Sequence, residues 1–326
     1  MSAAAQPRIE IGLNAVIVAV HDRQPLVLAV AGGRESDALP FGPFDPLAHR
    51  TFEAGLRRWV AEQTALKIGY VEQLYTFGDR GRHPAAGDAG RHVVSVGYLA
   101  LTRLSDDANA ALSRAGAVWR RWYDFFPWED WREDRPAIID EVLLPALEKW
   151  AASEPRAAPE ARPLDRAERV RMSFGAGDGH WDEERVLDRY ELLYEAGLVG
   201  EAGRDGRSIL DREAARRAGM AMRFDHRRIL ATAISRLRAK LKYRPVVFEL
   251  MADVFTLTEL QQTVEAISGR HVHKQNFRRL VEGGALVEPT GAIARQGRGR
   301  PAALFRFRRE VLRERPAPGL RLGARV

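Results

Sequence analysis

The sequence predicts an α+β fold in three parts: an N-terminal α/β/α sandwich, a helical middle region and a C-terminal winged helix-turn-helix. Three observations predict it. Short runs rich in Val and Ile flank one amphipathic segment between residues 9 and 101. Apolar residues then recur at helical spacing through much of 105–222. Beyond residue 225 the order is helix, helix, short turn, helix and hairpin.

Within 9–31, IGLNAVIVAV and PLVLAVA are separated by HDRQ, which predicts two strands joined as a hairpin. Residues 32–48 carry Gly32, Gly33, Pro40, Gly42, Pro43 and Pro46 and predict a loop. In the following stretch, Phe52, Leu56, Trp59, Val60 and Gln63 fall on one helical stripe. YVEQLYTFGD (70–79) and HVVSVGYLAL (92–101) predict paired strands around a polar loop. In the middle region, PAIIDEVLLPALEKWA and WDEERVLDRYELLYEAGLV have helical spacing, and ASEPRAAPEARPLD between them predicts an exposed linker.

The C-terminal pattern is sharper. HRRILATAISRLRAKL carries one apolar stripe, and FTLTELQQTVEAIS follows with Thr256 as a candidate N-cap ahead of Glu259. GRHV leads into HKQNFRRLVEGG, a short helix closed by Gly283 and Gly284. Two strand-like pieces then surround GRGRP (297–301). The expected partition is 8–150 for the sandwich, 151–224 for the helical extension and 225–315 for the winged helix.

Composition narrows the function classes. The 326 residues are 45% apolar and include no Cys, which excludes disulfides, thiolate metal sites and Cys nucleophiles and suits a reducing cytoplasm. No run reaches the length of a membrane span, and MSAAAQPRIE lacks the pattern of a secretory signal. Charge is unevenly placed: from Arg223 onward there are 22 Lys and Arg against 9 Asp and Glu, and the remainder holds 29 against 35. A basic module on a mildly acidic body is the footprint of a polyanion binder.

In the third helix of that module, Phe277, Leu280 and Val281 form the inward face. His273, Lys274, Gln275, Asn276, Arg278 and Arg279 are left for base edges and phosphates. Arg298 and Arg300, set between glycines, suit a wing that enters a minor groove. The reading is duplex DNA, with affinity that falls as salt rises.

The stretch EAGLRRWVAEQTAL (53–66) resembles a Nudix box, G-x5-E-x7-R-E-U-x-E-E-x-G-U, anchored on Arg57. The box wants a glycine at position 43, where Pro43 stands beside Gly42, and a glutamate at position 49, where His49 stands. Glutamates at positions 58 and 61 are replaced by Arg58 and Ala61, and only Glu62 remains. Hard cations need carboxylate oxygens, so neither a metal site nor a catalytic residue is expected. Arg57, Arg58, Arg80, Arg82 and Arg91, with Glu62, are the candidates for holding a nucleotide effector. His271 and His273 have no carboxylate cluster beside them in sequence and do not predict zinc.

VEQLYTFGD after the altered box, DHRRILATAISRLRAKLKYRPVVFELM, FTLTELQQTVEAISGR, HKQNFRR and GRGRPAALFRF together resemble the Nudix-related transcriptional regulators of NAD metabolism, the NadQ-like branch related to the NrtR group. The resemblance is strongest over 225–310 and weakest over 105–222. It implies a dimeric repressor whose silent Nudix domain senses ATP, NAD or ADP-ribose and whose winged helices bind operators of NAD-synthesis genes. Two-fold pairing of a homodimer predicts a palindromic operator, and a cytoplasmic location and no required cofactor are expected. The alternatives are an active Nudix pyrophosphohydrolase with a nucleic-acid-binding tail, or an RNA- or nucleoid-binding protein.

Overall fold

Strand β1 (Arg8–His21) is the spine of a six-stranded mixed sheet. The computed structural model describes residues 8–32, 36–64, 66, 68–79, 91–104, 112–153, 164–177, 179–294 and 301–320. β1 turns into the antiparallel β2 (Gln24–Val30) through Asp22 and Arg23, both at positive φ (45° and 62°). Such a two-residue turn matches the right-handed twist of the strands it joins. β3 (Phe41–Pro43) lies antiparallel to part of β1, and β5 (Arg91–Leu101) runs parallel to it from Arg8 opposite Arg91 to Val18 opposite Leu101. β4 (Tyr70–Phe77) closes one edge against β5, and β6 (Ala117–Arg121) the other against β2.

Strand periodicity divides β1 between two cores. Leu13, Ala15 and Ile17 pack with Leu56 and Val60 of α1 (Phe52–Thr64). Val16 and Val18 face a larger core that takes in the middle helices and the C-terminal domain. The sheet is therefore covered on both faces, as in a Nudix-like α/β/α sandwich.

The helical reading from 105 onward is corrected at 117–121, which form β6: Val118 and Trp119 lie in register with Ala29 and Leu28, so an open strand edge overrides local spacing. The loop expected over 32–48 likewise contains β3. In the segment 136–151, Pro145 interrupts the expected helix. A π-turn over Ile139–Leu143 precedes α2 (Leu144–Ala152), where the missing proline N–H falls in the first turn. Asp165 caps α3 (Arg166–Phe174): its carboxylate accepts from Glu168 N at 2.7 Å, and Glu168 accepts from Asp165 N at 3.0 Å. α4 (Val186–Glu195) and the short α5 (Gly200–Arg204) and α6 (Arg212–Arg217) complete the middle layer.

Helix α7 (His226–Leu241), which the sequence groups with the winged helix, lies on the sheet. It packs along α4 and crosses β4, β1 and β5. A Cβ on Gly97 would meet Ile229 Cγ2 at 3.0 Å, so the bare backbone of β5 is what admits the helix. Beyond it come β7 (Phe255–Thr256), α8 (Leu257–Ser268), α9 (Lys274–Gly283), β8 (Val287–Ala294) and β9 (Ala302–Phe307), with sheet order β7-β9-β8. Phe248 stacks on Phe307 at 4.2 Å between centroids and fastens this small sheet to the turn that precedes it. Among the described residues no helix is long and apolar enough to cross a membrane.

Candidate nucleic-acid interface and sensor face

Helix α8 begins with a reciprocal cap. Thr256 Oγ1 accepts from Glu259 N at 3.2 Å and Glu259 accepts from Thr256 N at 2.7 Å. It ends at Gly269, whose φ of 72° turns the chain out of the helix. The turn into α9 is set by two side chains that sequence reasoning missed. Glu265 Oε1 accepts from Val272 N at 2.9 Å and from Gln261 Nε2 at 3.0 Å, and it lies 3.1 Å from His271 Nδ1. Gln261 also donates to Val272 O at 2.8 Å. Their signal was available: two polar residues four apart within an otherwise apolar face share one side of a helix.

On α9, Phe277 and Val281 are buried, and His273, Lys274, Gln275, Asn276, Arg278 and Arg279 are all exposed. Lys274 and Arg278 form one row along the helix, Gln275 and Arg279 the next. Arg279 Nη2 donates to Asn276 Oδ1 at 3.1 Å, which orients the amide and guanidinium together. Among the described residues, no partner engages the Lys274 or Arg278 side chain. The face thus offers cations and amides to a polyanion while the opposite face holds the helix in the domain. Arg298 and Arg300, expected in the wing, lie outside the described residues. β8 and β9 are tied by Thr290 Oγ1 to Leu304 O at 3.0 Å and by the Glu288–Arg306 ion pair.

The candidate sensor face is built on α1. Trp59 Nε1 donates to Pro43 O at 2.9 Å, and Gln63 Oε1 accepts from Phe41 N at 3.0 Å, so the helix is laced to β3. His49 is buried under α1 and its Nδ1 accepts from Asp45 N at 3.3 Å. Arg57 is engaged by the protein: its Nε meets Glu53 at 2.9 Å, and its terminal nitrogens donate to Gly69 O at 3.0 Å and to Ile68 O. Arg58 pairs with Glu62 at 2.7 Å on the open surface, and that bond raises the Arg58 pKa above its ordinary value. The carboxylate left in the box is therefore occupied by the guanidinium beside it. This donor set does not fit a hard divalent cation. Among the described residues no cluster of three His, Asp or Glu is placed to hold a metal. Arg80 and Arg82 lie outside the described residues, as does the side chain of Arg91.

The model of the NrtR DNA-binding winged helix domain matches residues 247–307. A curated relative from Acinetobacter baylyi, the ADPR-responsive transcriptional repressor NtrR, is 42% identical over 84 residues, covering 26% of this chain and 33% of the relative. The match thus spans about a third of that relative's length. The crystal structure of Shewanella oneidensis NrtR complexed with a 27mer DNA aligns with a TM-score of 0.54 at 22% identity, covering 92% of this chain and 94% of that one. Another crystal structure of the same protein gives 0.52 at 21%, covering 92% and 95%. Those two likenesses concern the fold, and they extend over both halves of it. Residues 247–307 match the NrtR DNA-binding winged helix domain, and the chain as a whole shares the fold of Shewanella oneidensis NrtR.

Proposed function

We propose that the chain is a DNA-binding transcriptional repressor whose Nudix-like domain senses ADP-ribose and does not hydrolyse it. The observation that carries this reading is α9, with every polar side chain exposed on one side and Phe277 and Val281 anchoring the other. That is the division of labour a groove-reading helix requires. The name of the Acinetobacter relative supports both the repressor role and the ADP-ribose response. Genes of NAD synthesis are the targets that the sequence resemblance implies. Arg58 and Ala61 at the expected carboxylate positions support binding without turnover. Arg57, Arg58, Glu62, Arg80, Arg82 and Arg91 remain the proposed effector contacts, and two copies on a palindrome would place two α9 helices on successive half-sites.

The test combines three measurements on the full chain. Binding to duplexes selected from a random pool should recover one palindromic sequence and weaken steeply with salt. ADP-ribose should raise the thermal midpoint, because a ligand of the native state stabilises it, and should change duplex affinity. Incubation with ADP-ribose and Mg²⁺ should release no AMP. Recovery of no preferred duplex overturns the repressor reading; turnover that is lost in Glu62→Gln establishes a hydrolase instead.

A further inference from the structure

The C-terminal end of α8 is held by three donors from the body of the protein. Tyr123 Oη donates to Ala266 O at 2.8 Å, Arg238 Nε to Ile267 O at 3.0 Å and Trp131 N to Gly269 O at 2.7 Å. Tyr123 and Trp131 follow β6, and Arg238 comes from α7. Contact is close: a Cβ on Gly269 would stand 2.5 Å from both Arg238 Nη2 and Glu129 O. Burial raises the Tyr123 pKa and so keeps its phenol a donor.

Behind these donors lies an unequal charge cluster. Glu129 is buried and accepts from Arg189 at 2.6 and 2.9 Å and from Arg238 at 2.6 Å; both arginines are buried as well. Two guanidiniums therefore share one carboxylate. The surplus positive charge is met by carbonyl oxygens: Ser173 and Asp182 for Arg189 at 3.0 and 2.9 Å, Glu183 and Ile267 for Arg238 at 3.0 Å each. The last turn of α8, the negative end of a helix dipole, is one of the groups that balance Arg238. Moving α8 away would leave a buried cation short of acceptors. The contact therefore resists gradual sliding and favours discrete arrangements.

The other end of α7 meets the sensor face. His226 Nδ1 accepts from Leu39 N at 2.9 Å, and the Phe41 ring stands against the imidazole at 5.1 Å. Phe41 is the residue that Gln63 of α1 holds by its backbone. The 16 residues of α7 span roughly 24 Å at about 1.5 Å per residue. One rigid helix thus touches the segment that carries the box helix at one end and the support helix of the DNA-binding domain at the other.

We infer that α7 is the rod through which occupancy of the sensor face reaches α9, and that Arg238 and Tyr123 are the positioning residues that pass it to α8. The inference rests on the proposed ADP-ribose response. Coupling runs from Phe41 and His226 along α7 to Arg238, across Ile267 O to α8, and through Glu265 to the turn that aims α9. None of these side chains belongs to the exposed face of α9.

Hydrogen exchange of the full chain, with and without ADP-ribose, tests it in the wild type, Tyr123→Phe and Arg238→Met. Arg238→Met leaves Glu129 and Arg189 as a balanced pair, and Tyr123→Phe removes a single hydroxyl in case the larger change unfolds the protein. ADP-ribose should alter exchange across 257–283 in the wild type. Both variants should lose that response while ADP-ribose affinity stays within about twofold, below the roughly 5- to 150-fold range typical of allosteric coupling. A response that survives in a folded variant, or that never reaches 257–283 in a wild type that binds ADP-ribose, overturns the inference. Should the wild type bind no ADP-ribose, the sensing reading fails separately. The clamp is then judged without ligand: both variants must speed exchange at 264–272 and weaken duplex binding, and unchanged exchange overturns it.

Discussion

Trp59 of the box helix lies flat against Gly42 of β3: a Cβ on Gly42 would fall 2.2 Å from Trp59 Cδ2. The indole edge donates to Pro43 O at 2.9 Å, so ring and strand are fixed together. Gly42→Ala should therefore force the helix off the strand and destabilise the protein by about 1–3 kcal/mol, the usual cost of overpacking. A urea titration followed by tryptophan fluorescence reads this, and a midpoint equal to the wild type would show that the ring swings aside at no cost.

This contact also shows where the sequence was legible. Gly42 could be read as a loop glycine and Trp59 as part of an apolar stripe; the stripe holds, Gly42 instead lies in β3, and their mutual contact is a tertiary fact. Elements with one dominant period came through: β1, α1, α8 with its Thr256 cap, and α9 with its buried Phe277. Residues 117–121 did not, because a strand edge decided their conformation. The buried arginines were hidden for another reason. Arg227 and Arg238 occur in a helix whose apolar stripe is clear, and a charged residue there is read as solvated. Only the fold brings Glu129, more than a hundred residues away from Arg238, to the same place. The candidate sensor face was legible as Arg58 and Ala61 at positions where the box has glutamates, but not as the Arg58–Glu62 pair.

Arg278 supplies the second prediction. It is exposed on α9, one turn beyond Lys274, and none of the described side chains competes for it. Arg278→Ala should weaken binding to the selected duplex by about 1–3 kcal/mol if it reads a guanine edge, relaxing preference at one base pair. If it contacts phosphate instead, affinity should fall evenly across sequences and the salt slope should drop by about one. Fluorescence anisotropy on matched and mismatched duplexes at several salt concentrations separates the two. Thermal stability should stay within about 0.5 kcal/mol of the wild type, as for surface substitutions generally. Unchanged affinity on every duplex would remove Arg278 from the interface.

Glu265 should behave in a different way from Arg278. It touches no exposed face of α9, yet it receives Val272 N and the Gln261 amide and so sets the angle between α8 and α9. Glu265→Ala leaves a partly buried backbone donor unpaired, at a cost of about 1–3 kcal/mol. Duplex affinity should fall for matched and mismatched sequences together, because the whole recognition helix is re-aimed. ADP-ribose affinity, measured by titration calorimetry, should not change. A variant with normal stability and normal DNA binding would show that the turn is held by packing alone.

Glu183 makes stability depend on acid. Burial pushes its pKa up, but the nearby Arg270 and Lys242, the latter at 3.3 Å, outweigh that and hold the carboxyl below the ordinary glutamate value. A depressed folded pKa means that the unfolded chain binds the proton more readily, so acid favours unfolding. The stabilisation is complete above the ordinary glutamate value of about 4.3 and is lost as pH falls through the lower, folded value. Lys242 follows α7 and Arg270 lies in the turn before α9, so this loss loosens the same junction that Arg238 secures. Thermal midpoints of the wild type should drop steeply between about pH 5 and pH 3, and those of Glu183→Gln should start lower at pH 7 and fall less over that interval. Parallel curves for the two proteins would show that Glu183 contributes nothing to the acid response, leaving it to the other carboxylates.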